Sequence, residues 1–467
     1  MDTLLILGAG VSGLSTAWFL HRRGVAVRVL EARSRPGGNL HTMREEGRLY
    51  EYGPNSTLQK PGSPEDGLGR LAEGLGLGSR CWEANPAAQR RYIVRGGRLI
   101  ALPGSPPGFL ATRAFSWRAK LRLMLEPLIG RADHEESIAE FVRRRLGQEF
   151  LDYAIEPFIS GVYAGDPAVL SIRAAVPKIY NLERDHGSLI RGAFALHKVT
   201  QAGMPRGRLV GFDEGMGVLP RAIVEALPPG SVELGAAAHR LERLESGRWR
   251  AYWREGGAGE ERFAEGEGLV LALPAPEAAR LLEPFSAQAA EQLRGIAYAP
   301  IAAVMLGWRK EAVAHPLDGF GFLVPRKEGV RTLGGLFSST LFPGRAPEGE
   351  GLLTCFIGGA MDAAALELSD EALIQQTQRD AGALIGAAEG AGFTRVTRHA
   401  AAIPQYRLGH LERLEAIDRA LTPFPGLWTR ANWREGISVA DCIRQGEKTA
   451  ERILQERVVP PFCTSIP

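Results

Sequence analysis

Residues 3–31 read TLLILGAGVSGLSTAWFLHRRGVAVRVLE, and this stretch decides the fold. Thr3 to Leu7 is almost entirely apolar and of strand length, as expected for a strand buried on both faces of a parallel sheet. Gly8-Ala9-Gly10-Val11-Ser12-Gly13 turns the chain, Leu14 to Arg23 has helical spacing, Gly24 ends that helix, and Val25 to Leu30 reads as a second strand. The unit is strand–helix–strand. Gly8 permits the tight turn, Gly10 lets the backbone approach a pyrophosphate, and Gly13 allows close packing of helix on strand. The helix N-terminus offers N–H groups and the positive end of its dipole to phosphates. Glu31 ends the second strand, just before Ala32, where a carboxylate can accept ribose hydroxyls. The pattern predicts a dinucleotide site.

The surrounding chain narrows the class. Its 467 residues suffice for two or three domains with a large core. A net charge of +3 gives no reason to expect a nucleic-acid partner. Cys81, Cys355, Cys442 and Cys463 form no CxxC pair, and the His residues form no HExxH, so neither a metal nor a disulfide framework is expected. A reducing, cytoplasmic setting is the simplest. Leu4 to Leu20 is long and apolar, but it lacks the basic flank of an export signal and its glycines have nucleotide-turn spacing.

Farther along, Cys81 to Gly203 reads as mostly helical. Within it, Gly104 to Gly130 mixes Phe109, Phe115, Trp117, Leu121, Met124 and Leu128 with Arg113, Arg118, Lys120 and Arg122, so it is either a membrane-surface helix or a helix docked on the core. Arg206 to Ala226 reads as a strand, turn and helix, and Ser231 to Ala275 as short strands. Ile301 to Trp308, Gly319 to Val324 and Leu352 to Ile357 suggest a sheet behind a ligand pocket. Asp370 to Ala387 is a helix, Gly426 to Arg430 a strand, Val439 to Leu454 a helix, and Gln455 to Pro467 a loose tail.

The pair Gly37-Gly38, soon after Glu31, lets a second loop approach the phosphates and favours FAD over NAD. Asn432 to Val439 is a further glycine-containing turn into a helix, whose dipole would stabilise an anionic reduced flavin. FAD is therefore the expected cofactor.

The sequence resembles the porphyrinogen oxidases, the oxygen-dependent enzymes acting on protoporphyrinogen IX or coproporphyrinogen III. The likeness lies in Glu51–Ser56, Arg91-Tyr92-Ile93-Val94, Gly161–Asp166, Leu170–Arg173, Tyr298–Ile301, Gly319–Pro325, Ile403–Tyr406 with Gly409-His410, and Ala440–Ile443. The resemblance implies an α/β (α+β overall) architecture. A Rossmann-type FAD-binding domain (1–80, 206–275 and 399–457) would carry an inserted helical, membrane-facing domain (81–205) and a β-sheet substrate domain (276–398), followed by a tail (458–467).

By the same resemblance, Gly8 to Gly13, Glu31, Ala32, Gly38 and Asn39 contact FAD, and Gly53, Pro54, Asn55 and Ser56 lie against its ring. Ala238 takes the adenine contact, His399 lies near the cofactor, and Ile437, Ser438 and Val439 form the C-terminal flavin turn. Arg91 pairs with a substrate propionate, Phe320 and Leu323 sandwich the macrocycle, Phe356 lines the pocket, and Gly161 and Asn55 complete the substrate set. There are departures: Asn55 stands where several relatives have arginine, Phe356 replaces a smaller or more flexible side chain, and Arg434 to Ser438 is more polar than usual.

The implied reaction removes six electrons in three rounds of hydride transfer to flavin N5, with molecular oxygen reoxidising FAD to give hydrogen peroxide. A porphyrinogen bridge carbon losing hydride leaves a cation spread over two pyrroles, so no strong acid or base is demanded, in keeping with the absence of a catalytic dyad. Protoporphyrinogen IX is the first substrate and coproporphyrinogen III the alternative. The implied setting is cytoplasmic, peripheral on the inner face of the cell membrane, with a homodimer an open expectation. Another flavin amine oxidase or desaturase, or a non-catalytic FAD or porphyrin carrier, are the rival readings. Thr429-Arg430-Ala431-Asn432 lacks the glycine-acid motif usual in amine oxidases.

Overall fold

In the computed structural model, residues 3–201, 207–257 and 259–458 are described. A five-stranded sheet forms the base, in the order Val232–Leu234, Ala26–Glu31, Thr3–Leu7, Gly268–Leu271, Leu427–Thr429. Every pairing in it is parallel. Leu4 to Leu7 are buried because helices cover both faces of the sheet. One face packs on the Val11–His21, Val218–Ala226 and Val439–Val458 helices. The other packs on Ala275–Leu282, Ala287–Arg294 and His410–Leu421, around Trp249 and Trp433. Gly446 crosses the first helix so closely that a Cβ there would lie 2.4 Å from Ser15 Oγ.

A seven-stranded mixed sheet stands above it, ordered Phe393–Pro404, Tyr298–Arg309, Glu350–Gly358, Thr332–Phe337, Gly321–Leu323, Arg91–Arg95, Arg98–Ala101. Its one parallel pairing joins Gly321–Leu323 to Arg91–Arg95 and sets Arg91 opposite Gly321. The segment Cys81 to Gly203 is mostly helical over its described residues, as its sequence indicates, but its first part is not. Cys81–Glu83, Arg91–Arg95 and Arg98–Ala101 are strands, the last two a hairpin closed by Gly96 and Gly97 at φ 59° and 69°.

Helices fill residues 106–201. The fully buried Arg145 guanidinium bridges Glu126, at 3.0 Å, and Glu183, and Glu126 also accepts from Ser188 Oγ and the Leu189 N–H. Removing one partner from such a buried pair costs about 3–5 kcal/mol. A five-residue π-turn, Leu151–Ile155, runs into the Glu156–Tyr163 helix, which ends at Ala164 in a left-handed conformation, φ 47°. The Ala164 carbonyl accepts from the Ala360 N–H at 2.7 Å, locking that helix to the mixed sheet.

At the C-terminus the helix runs from Val439 to Val458, so Gln455 to Val458 are helical and not loose. The remainder of the expected tail, 459–467 with Cys463, lies outside the described residues. Cys81, Cys355 and Cys442 are free thiols.

Candidate cofactor and substrate site

The glycine turn leaves the sheet at its carboxyl edge. Gly8 donates to the Leu30 carbonyl at 2.8 Å and has φ 102°. Added Cβ atoms at Gly8 and Gly13 would lie 2.5 Å from the Ala272 carbonyl oxygen and 2.0 Å from that of Gly8, so both glycines are demanded by packing. At Gly10 a Cβ would meet nothing within 4 Å. The second glycine turn closes over the first: Gly37 N–H donates to Ala9 O at 2.8 Å, and a Cβ at Gly38 would lie 3.2 Å from the Gly10 Cα. The result is bare backbone beside open space at a helix N-terminus, the form a pyrophosphate requires.

Glu31 is buried, and its two oxygens accept from the N–H groups of Ala9, at 2.6 Å, and Arg33, at 2.9 Å. A carboxylate has about four lone-pair sites, so capacity for ribose hydroxyls remains. Ala32 is exposed beside it. Ala238 follows the strand that pairs with Glu31, and its carbonyl accepts from Arg280. Arg33 and Arg35 both donate to the Gly38 carbonyl and fix the second loop. Burial, then the charge of Arg35, holds the neighbouring His41 imidazole below its usual pKa.

The Gly53–Ser56 loop meets the second glycine turn at Asn39, whose carbonyl oxygen would lie 1.9 Å from a Cβ on Gly53. His399 Nε2 sits 2.6 Å from the Tyr52 carbonyl and steadies the start of that loop, while Asn55 Nδ2 donates to the Gly53 carbonyl at 3.3 Å. Thr57 Oγ1 accepts from the Ala440 N–H at 3.1 Å, joining this loop to the turn of Ile437, Ser438 and Val439. The two glycine turns, Glu31, Asn39, the Gly53–Ser56 loop and the turn of Ile437, Ser438 and Val439 thus form one continuous chain of contacts, with Ala238 off it. They fit FAD.

The substrate set divides. Gly161 faces Leu323 so closely that a Cβ would come within 2.7 Å of Leu323 Cδ2. Leu323 and Ile437 pack against the same cluster, built around Ile159, Tyr163 and Tyr406, which brings the Gly321–Leu323 strand and the turn of Ile437 together. Arg91 is exposed and its guanidinium lies 5.5 Å from the Phe320 ring centroid. Phe320 packs beside Leu341 and Phe342, not in the Leu323 cluster. Phe356 packs against Ala164 and Ile301. A cavity of about 370 Å³ elsewhere, lined in part by Asp418, Arg430, Glu435 and Lys448, contains none of the cofactor or substrate residues expected from the sequence. The tie of Tyr406 and His410 to the turn before the Val439–Val458 helix was not foreseen; the only signal in the sequence was the distinctiveness of that segment.

A parallel sheet with a bare glycine turn at its carboxyl edge, a buried acid hydrogen-bonded to that turn and a second helix N-terminus joined to the Gly53–Ser56 loop are the features of an FAD-dependent oxidoreductase. Residues 11–454 match the family model of flavin containing amine oxidoreductase. Protoporphyrinogen oxidase from the chloroplast of Nicotiana tabacum is 33% identical over 96% of this chain and 85% of its own. Coproporphyrinogen III oxidase of Bacillus subtilis is 27% identical over 95% of this chain and 96% of its own. In fold, a crystal structure from Exiguobacterium sp. 255-15 described as a protoporphyrinogen oxidase aligns with TM-score 0.82 and 24% identity, covering 97% of this chain and 99% of that one. The chain belongs to the flavin-containing amine oxidoreductase family, among its porphyrinogen oxidases.

Proposed function

We propose that the protein oxidises protoporphyrinogen IX to protoporphyrin IX, with molecular oxygen as the final acceptor and hydrogen peroxide as by-product. The relatives' names support the reaction class. The observation that carries the substrate reading is at the pocket rim. Arg90 is neutralised by Asp318, whereas Arg91 has no carboxylate partner among the described residues. One free guanidinium beside an aromatic ring suits a macrocycle with few carboxylates better than a tetracarboxylate. Bound FAD supplies the hydride acceptor and passes electrons on to oxygen. The chain's own task is orientation: Arg91 pairs with a propionate, Phe320, Leu323 and Phe356 offer apolar faces, and Gly161 lets its helix close on Leu323. Side-by-side turnover of the two porphyrinogens tests this, with a higher kcat/KM on protoporphyrinogen IX expected. A preference for coproporphyrinogen III would favour the second reading.

The Trp117–Met124 helix is built inside out. Lys120, 5% exposed, points inward and donates to the carbonyls of Leu110 and Thr112, both at 2.7 Å, whereas Trp117, Leu121, Met124, Leu125 and Leu128 are 54–80% exposed. Exposed Arg113 and Arg118 flank the patch. No helix among the described residues is long and apolar enough to cross a membrane. An outward apolar patch edged with arginine suits the headgroup boundary of an anionic lipid surface, and supports a peripheral position on the inner face of the cell membrane. The FAD part is taken as 1–80, 206–275 and 399–457, beneath the sheet that forms the pocket wall.

A further inference from the structure

The segment Ile403–Tyr406 with Gly409-His410 is distinctive in sequence, yet none of the roles above uses it. Tyr406 and His410 are 2% and 3% exposed. The Tyr406 hydroxyl sits inside the turn that precedes the Val439–Val458 helix. It donates to the Asn432 carbonyl and accepts from the Gly436 N–H at 3.1 Å. The His410 ring stacks on the Tyr406 ring, centroids 4.3 Å apart and planes 12° from parallel. His410 Nε2 lies 2.9 Å from the Trp433 carbonyl, and the tautomer protonated at Nε2 donates to it. Gly436 has φ 101°, a conformation that favours glycine, and it is at this residue's N–H that the Tyr406 hydroxyl takes hold of the turn.

The other side of the segment is anchored to the helical region. Gln405 Nε2 donates to the Tyr163 carbonyl at 2.9 Å. The Ser171 N–H donates to the Tyr406 carbonyl at 2.8 Å, and the Gly409 N–H to Glu135 Oε2 at 2.8 Å. The helix carrying Gly161 and the turn carrying Ile437 are therefore tied through the Gln405–His410 segment, beside the packing of Ile437 on the Ile159 and Tyr163 cluster.

We propose that Tyr406 and His410 are positioning residues for the flavin: they hold the Asn432–Ser438 turn, and the helix N-terminus after it, in register with the helix bearing Gly161. The proposal rests on the flavin reading of that turn and not on which porphyrinogen is oxidised. Burial keeps the phenol far above its usual pKa, so it stays a donor. Burial also pushes His410 down to about 4, so the ring stays neutral and Nε2 keeps one role. Dipole stabilisation of an anionic reduced flavin falls off within one helical turn, so a small shift of this N-terminus changes both affinity and potential.

A purely structural role is the competing explanation, and Tyr163 provides the control. Tyr163 is 6% exposed and its hydroxyl donates to the Ala175 carbonyl at 2.6 Å, a bond within the helical region. Tyr406→Phe and Tyr163→Phe each remove one buried hydroxyl and keep the ring. The FAD Kd of each apoprotein is read by flavin fluorescence, and the midpoint potential of each holoprotein by dye equilibration. Tyr406→Phe is expected to raise the FAD Kd at least tenfold. It is also expected to lower the ratio of reduced to oxidised flavin about tenfold at fixed potential, about 30 mV for a two-electron couple. Tyr163→Phe leaves both unchanged. Values within twofold of wild type for Tyr406→Phe, or equal shifts in both variants, overturn the proposal. Should Tyr406→Phe fail to fold, His410→Gln, which keeps a donor, and His410→Leu, which does not, decide it. A higher FAD Kd in His410→Leu than in His410→Gln supports the proposal, and equal values overturn it. A wild-type apoprotein that binds no FAD overturns the cofactor reading and the proposal with it.

Discussion

Replacing Gly10 with valine puts a side chain where the polypeptide has left room. A Cβ there meets no heavy atom within 4 Å, and φ −70°, ψ 172° suits any L residue. The apoprotein should therefore fold as well as wild type, or be stabilised by about 0.4–1 kcal/mol through a narrower unfolded ensemble. Cofactor binding should suffer instead, because the isopropyl group occupies the surface on which a pyrophosphate would rest. A charge-assisted hydrogen bond contributes about 1.5–3 kcal/mol, so losing two backbone contacts costs about 3–6 kcal/mol, or about 10²–10⁴ in Kd. Chemical denaturation of the apoprotein and fluorescence titration with FAD measure the two effects separately. Gly13→Ala, whose Cβ would lie 2.0 Å from the Gly8 carbonyl oxygen, gives the opposite pattern, a loss of fold before any loss of affinity. Wild-type FAD occupancy in Gly10→Val, or an apoprotein destabilised by that substitution, refutes the reasoning.

Three further expectations follow from the geometry. Arg91→Ala removes the free guanidinium at the pocket rim and should raise KM about tenfold, the lower end for a charge-assisted pair, with flavin content unchanged; loss of flavin on purification would make Arg91 structural. His410 has a folded pKa of about 4, below its ordinary 6.5, so its contribution to stability is present above pH 6.5 and lost as the pH falls toward 4. The full span is worth about 3 kcal/mol, so wild type should lose stability more steeply than His410→Gln between pH 6.5 and 4 in denaturant titrations, and parallel profiles would contradict the assignment. Leu121→Glu with Leu128→Glu should abolish flotation with anionic vesicles while leaving detergent-solubilised turnover intact, and undiminished flotation would remove the membrane role of that patch.

The legible part of the fold was local. Thr3 to Glu31 carries strand, turn, helix and strand in contiguous signals; the structure places the strands Thr3–Leu7 and Ala26–Glu31 within a residue of the reading, and starts the helix three residues earlier, at Val11, because it begins inside the glycine turn. The Arg91–Ala101 hairpin was missed although Gly96-Gly97 between two apolar runs signals such a turn. Its partner strand, Gly321–Leu323, lies far away in sequence, so no local pattern could announce the sheet. Lys120 was read as part of a basic face, but two carbonyls of the preceding segment draw it inward and turn the apolar side out. The glycine and acid positions of the cofactor site were readable because backbone geometry dictates residue type there. The roles of Tyr406 and His410 were not, because their partners are main-chain groups any residue could supply.

The most direct test of the central claim is aerobic porphyrin formation by the purified holoprotein, with protoporphyrinogen IX and coproporphyrinogen III supplied side by side, peroxide measured in parallel and spontaneous oxidation subtracted. Turnover of protoporphyrinogen IX well above background is expected, with three peroxides per porphyrin. No rate above background with either substrate, from protein carrying a full complement of FAD, would contradict it.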